Sequence, residues 1–185
     1  MNPFVANITN IASFLTLLAD IFAVALFILL ITPLKRHGLG KRIADFFGER
    51  AIFLSFLAAL AATGGSLFYS NIAGFPPCDL CWWQRIFLYP QTLLLFTAFL
   101  KKDENMRLHC TVLSIVGAIV ALYQTFLQFG VQSIVPCSAT GPSCSVVYFI
   151  EYGYITIPMM SLTVFVLLLL LMNAPNPKKR AINEL

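Results

Sequence analysis

Apolar residues run in five long blocks along the chain, at about residues 11–32, 51–70, 83–100, 108–128 and 155–172. Within each block the apolar character is continuous; it does not alternate at every second position, so the pattern predicts helices and not the strands of a closed barrel. Each block is close to the roughly 20 residues that a helix needs to cross a hydrocarbon layer about 30 Å thick. Inside that layer the backbone must satisfy its own hydrogen bonds, which a helix does. The prediction is an all-α integral membrane protein: a four-helix transmembrane bundle with one additional N-terminal transmembrane helix. Residues 1–47 are read as the extra helix and a basic loop, 48–173 as the bundle and 174–185 as a tail.

Composition agrees. Of the 185 residues 59% are hydrophobic and 11% charged, whereas soluble domains carry about 25% charged residues. Abundant Leu, Ile, Val and Phe exclude a disordered chain. The few charges orient the spans. Lys35, Arg36, Lys41, Arg42 and Arg50 follow the first block, Lys101, Lys102 and Arg107 the third, and Lys178, Lys179 and Arg180 the fifth. By the positive-inside rule those segments are cytoplasmic. The N-terminus, the loop at 71–82 and the loop at 129–154 then face outward. The first block is too long for a signal-peptide core and its basic cluster follows it, so it reads as a retained anchor. Asp20 sits near its middle, where a carboxylate costs about 2.5–3.5 kcal/mol. A protonated or hydrogen-bonded Asp facing the bundle is the simpler reading, ahead of a proton or ligand site.

Topology also sorts the five cysteines. Cys78 and Cys81 fall in the first outer loop, Cys137 and Cys144 in the second, and Cys110 at the cytoplasmic entrance of the fourth block, where it reads as a small apolar residue. Pro76-Pro77 places Cys78-Asp79-Leu80-Cys81 at a helix start, where free N–H groups favour a thiolate. Arg85, one turn below Cys81, is the one basic residue on the outer side. It needs a partner near lipid, which a Cys81 thiolate or the carbonyl oxygen of a bound ligand would supply. The turn-forming spacer between Cys137 and Cys144 permits ring closure, and residues 146–154 are expected along the membrane surface, keeping the second pair near the first. Two structural disulfides, a zinc site and a dithiol relay into the membrane all use four such cysteines. Zinc is weakest, because oxidation competes outside the cell, and no metal ligand set is assigned. The relay also accounts for a CxxC that opens a helix with an arginine below it.

The run Phe75-Pro-Pro-Cys-Asp-Leu-Cys-Trp-Trp-Gln-Arg-Ile-Phe-Leu-Tyr-Pro90 resembles the disulfide bond formation protein B family. So does the stretch from Val135-Pro-Cys137 through Cys144 to Tyr154-Ile-Thr-Ile-Pro158, which is similar to the shorter Gram-positive-type branch. The resemblance covers roughly residues 48–173. It implies a thiol:quinone oxidoreductase in a bacterial cell (inner) membrane, with its active cysteines on the extracytoplasmic side. It also implies a ubiquinone or menaquinone cofactor from the membrane quinone pool, and a thioredoxin-fold, DsbA-like thiol oxidase as partner; nucleic acid is not expected. By motif, Cys137 would be attacked by the reduced partner, Cys144 would resolve the mixed disulfide, and electrons would pass to Cys78–Cys81. Cys81 would donate to the quinone beside Arg85, with Gln124 and Gln128 bordering the site. Some members carry a His where Gln124 stands, and a Gln cannot shuttle a proton near neutral pH. A vitamin K epoxide reductase-like relay would place its loop cysteines before the CxxC, the reverse of the order here. A membrane scaffold with two structural disulfides is the non-enzymatic alternative.

Overall fold

The computed structural model describes residues 2–33, 38–132 and 141–176, and these form an all-helical protein. Cys137, Lys35, Arg36, Lys178, Lys179 and Arg180 lie outside the described residues. The helices are α1 (Pro3–Ile31), α2 (Gly38–Glu49), α3 (Ala51–Asn71), α4 (Asp79–Lys101), α5 (Met106–Gln128) and α6 (Ile157–Met172).

Each apolar block lies in a helix, and the ends follow local chemistry. The α1 helix starts earlier than its apolar run because Asn2 caps it, accepting from the Phe4 N–H at 3.1 Å, with Pro3 at the first helical position. At the far end of α4, Lys102 takes a left-handed conformation (φ 55°) and closes the helix. The α6 helix begins after an isolated bridge between Glu151 and Ile155. Among the described residues α1, α3 and α5 are long and apolar enough to cross a membrane, and α6 is apolar but shorter. The 23-residue α4 is long enough but carries Gln84, Arg85 and Gln91.

The structure adds one helix to the sequence reading. The segment expected to be a basic loop contains α2. Its Gly40, Ala44 and Gly48 are buried at four-residue spacing, while Leu39, Ile43 and Phe46 stay exposed. Small residues on one face allow close packing. The basic residues between them hid this periodicity from a reading based on long apolar runs.

Helices α3, α4, α5 and α6 pack around one core that includes Leu95, Phe165, Leu168, Ala59 and Ala121. Phe165 is fully buried, and its ring lies where any side chain at Gly117 would stand, so α5 and α6 approach closely through a position that has none. Polar pairs tie the helices inside the bundle: Ser114 Oγ donates to Gln91 Oε1 at 2.9 Å, and the Thr63 and Thr92 hydroxyls are 3.0 Å apart. At the end opposite the CxxC, Arg107 donates to the carbonyls of Gly48, Met172 and Ala174 and pairs with Glu104. Cys110 is fully buried in the core, as a small apolar residue should be. The α1 helix packs on α6, with Leu18, Ile21 and Val24 exposed on its outer face. A broad apolar surface suits a solvent of lipid tails.

The Gly117–Phe165 contact predicts that Gly117→Val destabilises the bundle by about 1–3 kcal/mol through overpacking. At Gly64 nothing lies within 4 Å of an added Cβ, so Gly64→Ala is expected to be neutral or to stabilise by up to about 1 kcal/mol. Unfolding of both variants in detergent, followed by circular dichroism, checks the pair; equal melting would refute the packing account.

Candidate functional site

The Pro76-Pro77 pair cannot continue a helix, and α4 starts directly after it, with Cys78 as its N-cap. The Cys81 N–H points back to Cys78 Sγ at 3.4 Å, and the two sulfurs are 2.8 Å apart. Both are free thiols, whereas Cys144 is disulfide-bonded. Cys78 and Cys144 are 5% and 2% exposed and share one buried cluster with Leu127, with Leu80, Cys81 and Tyr123 packed around it. The loop before α4 and the loop before α6 therefore come together at this cluster.

Aromatic stacking holds them together. Phe75 and Tyr148 stack with centroids 4.5 Å apart, and Tyr69 contacts both Phe75 and Phe149. The Tyr148 hydroxyl donates to the Pro76 carbonyl at 2.8 Å. Gln128 Nε2 donates to the Val146 carbonyl at 2.8 Å. The structure thus sets Gln128, the last residue of α5, against the loop before α6 and not against the CxxC sulfurs.

Gln124 does reach them. Its Nε2 donates to Cys78 Sγ at 3.1 Å and to Cys81 Sγ at 3.3 Å. Gln84, one turn after Cys81, donates from its own Nε2 to Gln124 Oε1 at 2.6 Å. That bond turns the Gln124 N–H groups toward sulfur. Both amides are nearly buried, Gln124 at 3% and Gln84 at 6% exposure, so neither exchanges freely with water. In the first turn of α4, outward of the apolar stretch from residue 83, Cys81 is held down to about 6. The Cys78 thiol donating to it is the main cause; burial opposes this, while the Gln124 amide and the Arg85 charge add to the lowering. Cys78 is pushed up in turn, because it keeps the shared proton and is buried.

Beside its charge on Cys81, Arg85 makes hydrogen bonds to α3. Its Nε donates to Ser66 Oγ at 3.0 Å and its Nη2 to the Ser66 carbonyl at 3.2 Å, while the guanidinium lies 5.0 Å from the centroid of the Trp82 ring. Tyr89 donates to the same Ser66 hydroxyl at 3.1 Å. Sequence reasoning missed both Gln84 and Ser66. Gln84 carried a signal, an amide three residues after Cys81 in a span where each polar group needs a partner. Ser66 carried none, because which helix faces Arg85 is a matter of packing.

Below the sulfurs opens a cavity of about 370 Å³. Of the described cysteines only Cys81 lines it. Arg85, Gln84 and Gln124 provide its polar end, Phe75 and Tyr148 line it from the two loops, and alanines of α1 and α3 form apolar walls. A low-pKa thiol at the polar end of an apolar cavity can exchange electrons with a flat, lipid-soluble acceptor whose oxygens take hydrogen bonds.

Comparison with known proteins points to disulfide formation. The family profile described as "Disulfide bond formation protein DsbB" matches residues 48–174. The SPbeta prophage-derived disulfide bond formation protein B of Bacillus subtilis is 42% identical over 116 residues, covering 63% of this chain and 76% of that protein. Disulfide bond formation protein C of the same organism is 38% identical over 128 residues, covering 67% and 92%. A probable disulfide formation protein of Metapseudomonas resinovorans is 36% identical over 123 residues, covering 65% and 85%. No solved structure matches the chain. With its membrane helices, its CxxC at a helix start and a matched region that takes in α3 to α6, the chain belongs to the disulfide bond formation protein B family.

Proposed function

We propose that the protein is a membrane thiol:quinone oxidoreductase that reoxidises a thioredoxin-fold thiol oxidase outside the cytoplasm. One observation carries the reading: Cys144 and Cys78 share a buried cluster, and Cys81 alone of the described cysteines opens onto the cavity. That order, from outer loop to helix start to cavity, is a path for an electron pair.

In this reading the chain crosses a bacterial cell membrane five times, with the basic segments inside and the four relay cysteines outside. Cys144 pairs with Cys137. The partner's thiolate attacks Cys137 and releases Cys144; the partner's second thiol, and not Cys144, then resolves the mixed disulfide, because resolution by Cys144 would return the partner reduced, and Cys137 and Cys144 are left as thiols. The Cys144 thiolate then attacks Cys78 of an oxidised Cys78–Cys81 pair and releases Cys81. A leaving thiol of low pKa departs faster, so the environment of Cys81 favours this direction. Cys137 closes back on Cys144 and frees Cys78. Two electrons and two protons have then moved to Cys78 and Cys81.

A quinone, ubiquinone or menaquinone, supplies a two-electron, two-proton acceptor when bound. The cavity fits such a group: its walls are apolar, and Arg85 and Gln84 bring N–H donors to one end. Cys81 holds its electron-rich sulfur there, and Gln124 hydrogen-bonds both thiols so that they stay aligned. Gln128 acts by anchoring the second loop through Val146.

Purified protein with quinone should oxidise a reduced thioredoxin-fold protein, and Cys78→Ser or Cys137→Ser should each abolish turnover; full activity in either variant would sink the relay. The reduced protein should also show iodoacetamide modification of Cys81 that rises with pH around about 6 and then levels off. An ordinary thiol has its midpoint near about 8.5. Removing the amide donor in Gln124→Leu should move the midpoint upward, and Gln84→Leu should do so to a smaller degree. Peptide mass spectrometry across a pH series reads both, and an unchanged midpoint would discard the amide's role.

A further inference from the structure

The region matching the family begins at residue 48, so α1 lies wholly outside it. Yet Ala12, Leu15, Thr16 and Ala19 of α1 line the same cavity as Cys81, Arg85 and Gln124. Two polar contacts bracket that stretch. Toward the start of α1 the Tyr69 hydroxyl reaches Thr9 Oγ1 at 3.5 Å. Beyond the lining residues, Asp20 receives the Tyr154 hydroxyl on Oδ2 at 2.9 Å and the Thr163 hydroxyl on Oδ1 at 2.6 Å. Thr16 gives its own hydroxyl to the Ala12 carbonyl at 2.9 Å, so it leaves no unpaired donor to the cavity. Across from these residues, α3 contributes Ala61, Ala62 and Gly65. The cavity therefore lies between α1 and α3, where small groups of both helices face it, with Leu15 and the α6 side chains Met160, Val164 and Leu167 completing its apolar lining.

We propose that α1 is a wall of the acceptor site and that Asp20 is the positioning residue that holds it there; this rests on the quinone reading above. A carboxylate within a membrane helix is costly unless partnered. Its two partners sit on α6 and on the loop that carries Cys144, so the clamp fixes the rotation of α1 relative to the redox side of the protein. With α1 seated, the cavity admits a flat apolar body and excludes lipid chains. Side-chain size at positions 16 and 19 then sets how tightly a quinone is held.

The full chain carries only two tryptophans, Trp82 and Trp83, and Trp82 packs on Arg85, so quenching of their fluorescence reports quinone at the site. Titration of the purified protein in nanodiscs with decylubiquinone gives the dissociation constant. Thr16→Leu and Ala19→Leu should each weaken binding about tenfold by filling the cavity. Asp20→Ala should weaken it as well, and Asp20→Asn, which keeps an acceptor oxygen, should restore most of the affinity. Ile21→Ala, on the exposed face of α1, should change nothing. A milder probe guards against misfolding: decylubiquinone should slow N-ethylmaleimide modification of the thiol introduced by Thr16→Cys and leave that of Ile21→Cys unaffected. If the unsubstituted protein binds decylubiquinone and Arg85→Ala weakens it, while the wall variants bind normally and the introduced thiol is not protected, α1 is a lateral packing helix and the proposal is wrong. If the unsubstituted protein does not bind at all, the quinone reading falls and this inference falls with it.

Discussion

The amide of Gln124 is the contact around which the rest of the site is arranged. A sulfur that must carry negative charge at the edge of a membrane needs donors that do not come from water. Gln124 supplies them from α5 to two sulfurs at the start of α4. An amide can present either end, and Gln84 settles the choice by donating to the oxygen at 2.6 Å. Two consequences follow. The crossing of α4 and α5 is fixed at the two sulfurs. The amide also adds to the lowering of Cys81 that the Cys78 thiol mainly causes, and a thiol so lowered is the better leaving group.

The second loop has to arrive at this pair without being part of the bundle. It is long, and its described part has little regular structure, so backbone ladders cannot position it. Side chains do so instead: Tyr148 stacks on Phe75 and donates to Pro76, Phe149 packs on Tyr69, and Gln128 holds Val146. Stacked rings at a membrane boundary are suited to this, since each buries apolar area and keeps a polar tip for hydrogen bonding. Cys144 then rests 2% exposed in the same buried cluster as Cys78 and Leu127. Burial at this point separates the cysteines of both loops from the surroundings.

Much of this was legible in the chain. Five apolar blocks became five helices because continuous hydrophobicity over such lengths has few other solutions in lipid. The CxxC, its prolines and Arg85 marked the helix start because each residue there has a local reason to be present. What could not be read was partnership. Arg85 meets Ser66, which stands on a separate helix, and nothing local designates it. Gln124 and Gln128 are one turn apart on α5, yet one faces the sulfurs and the other a loop carbonyl. Helical spacing fixes the angle between two side chains but not what stands opposite them. The α2 helix escaped for a different reason: its packing face is glycine and alanine, which long hydrophobic windows do not register.

Asp20 shows how a polar residue in lipid gains meaning from its register. Thr9, Ser13, Thr16 and Asp20 recur every three or four residues along a helix that is otherwise strongly apolar. They therefore share one face of α1. Thr9 and Ser13 are fully buried, while Leu18 and Ile21 on other faces are exposed. A helix needed only to anchor the chain could be apolar all round and free to rotate. One with a polar face must turn that face inward, and Asp20 satisfies its carboxylate at Tyr154 and Thr163. The same rotation brings Ala12, Thr16 and Ala19 to the cavity. The cost of a carboxylate in the membrane is thus converted into a fixed orientation of the wall, which an apolar residue at position 20 would leave undefined.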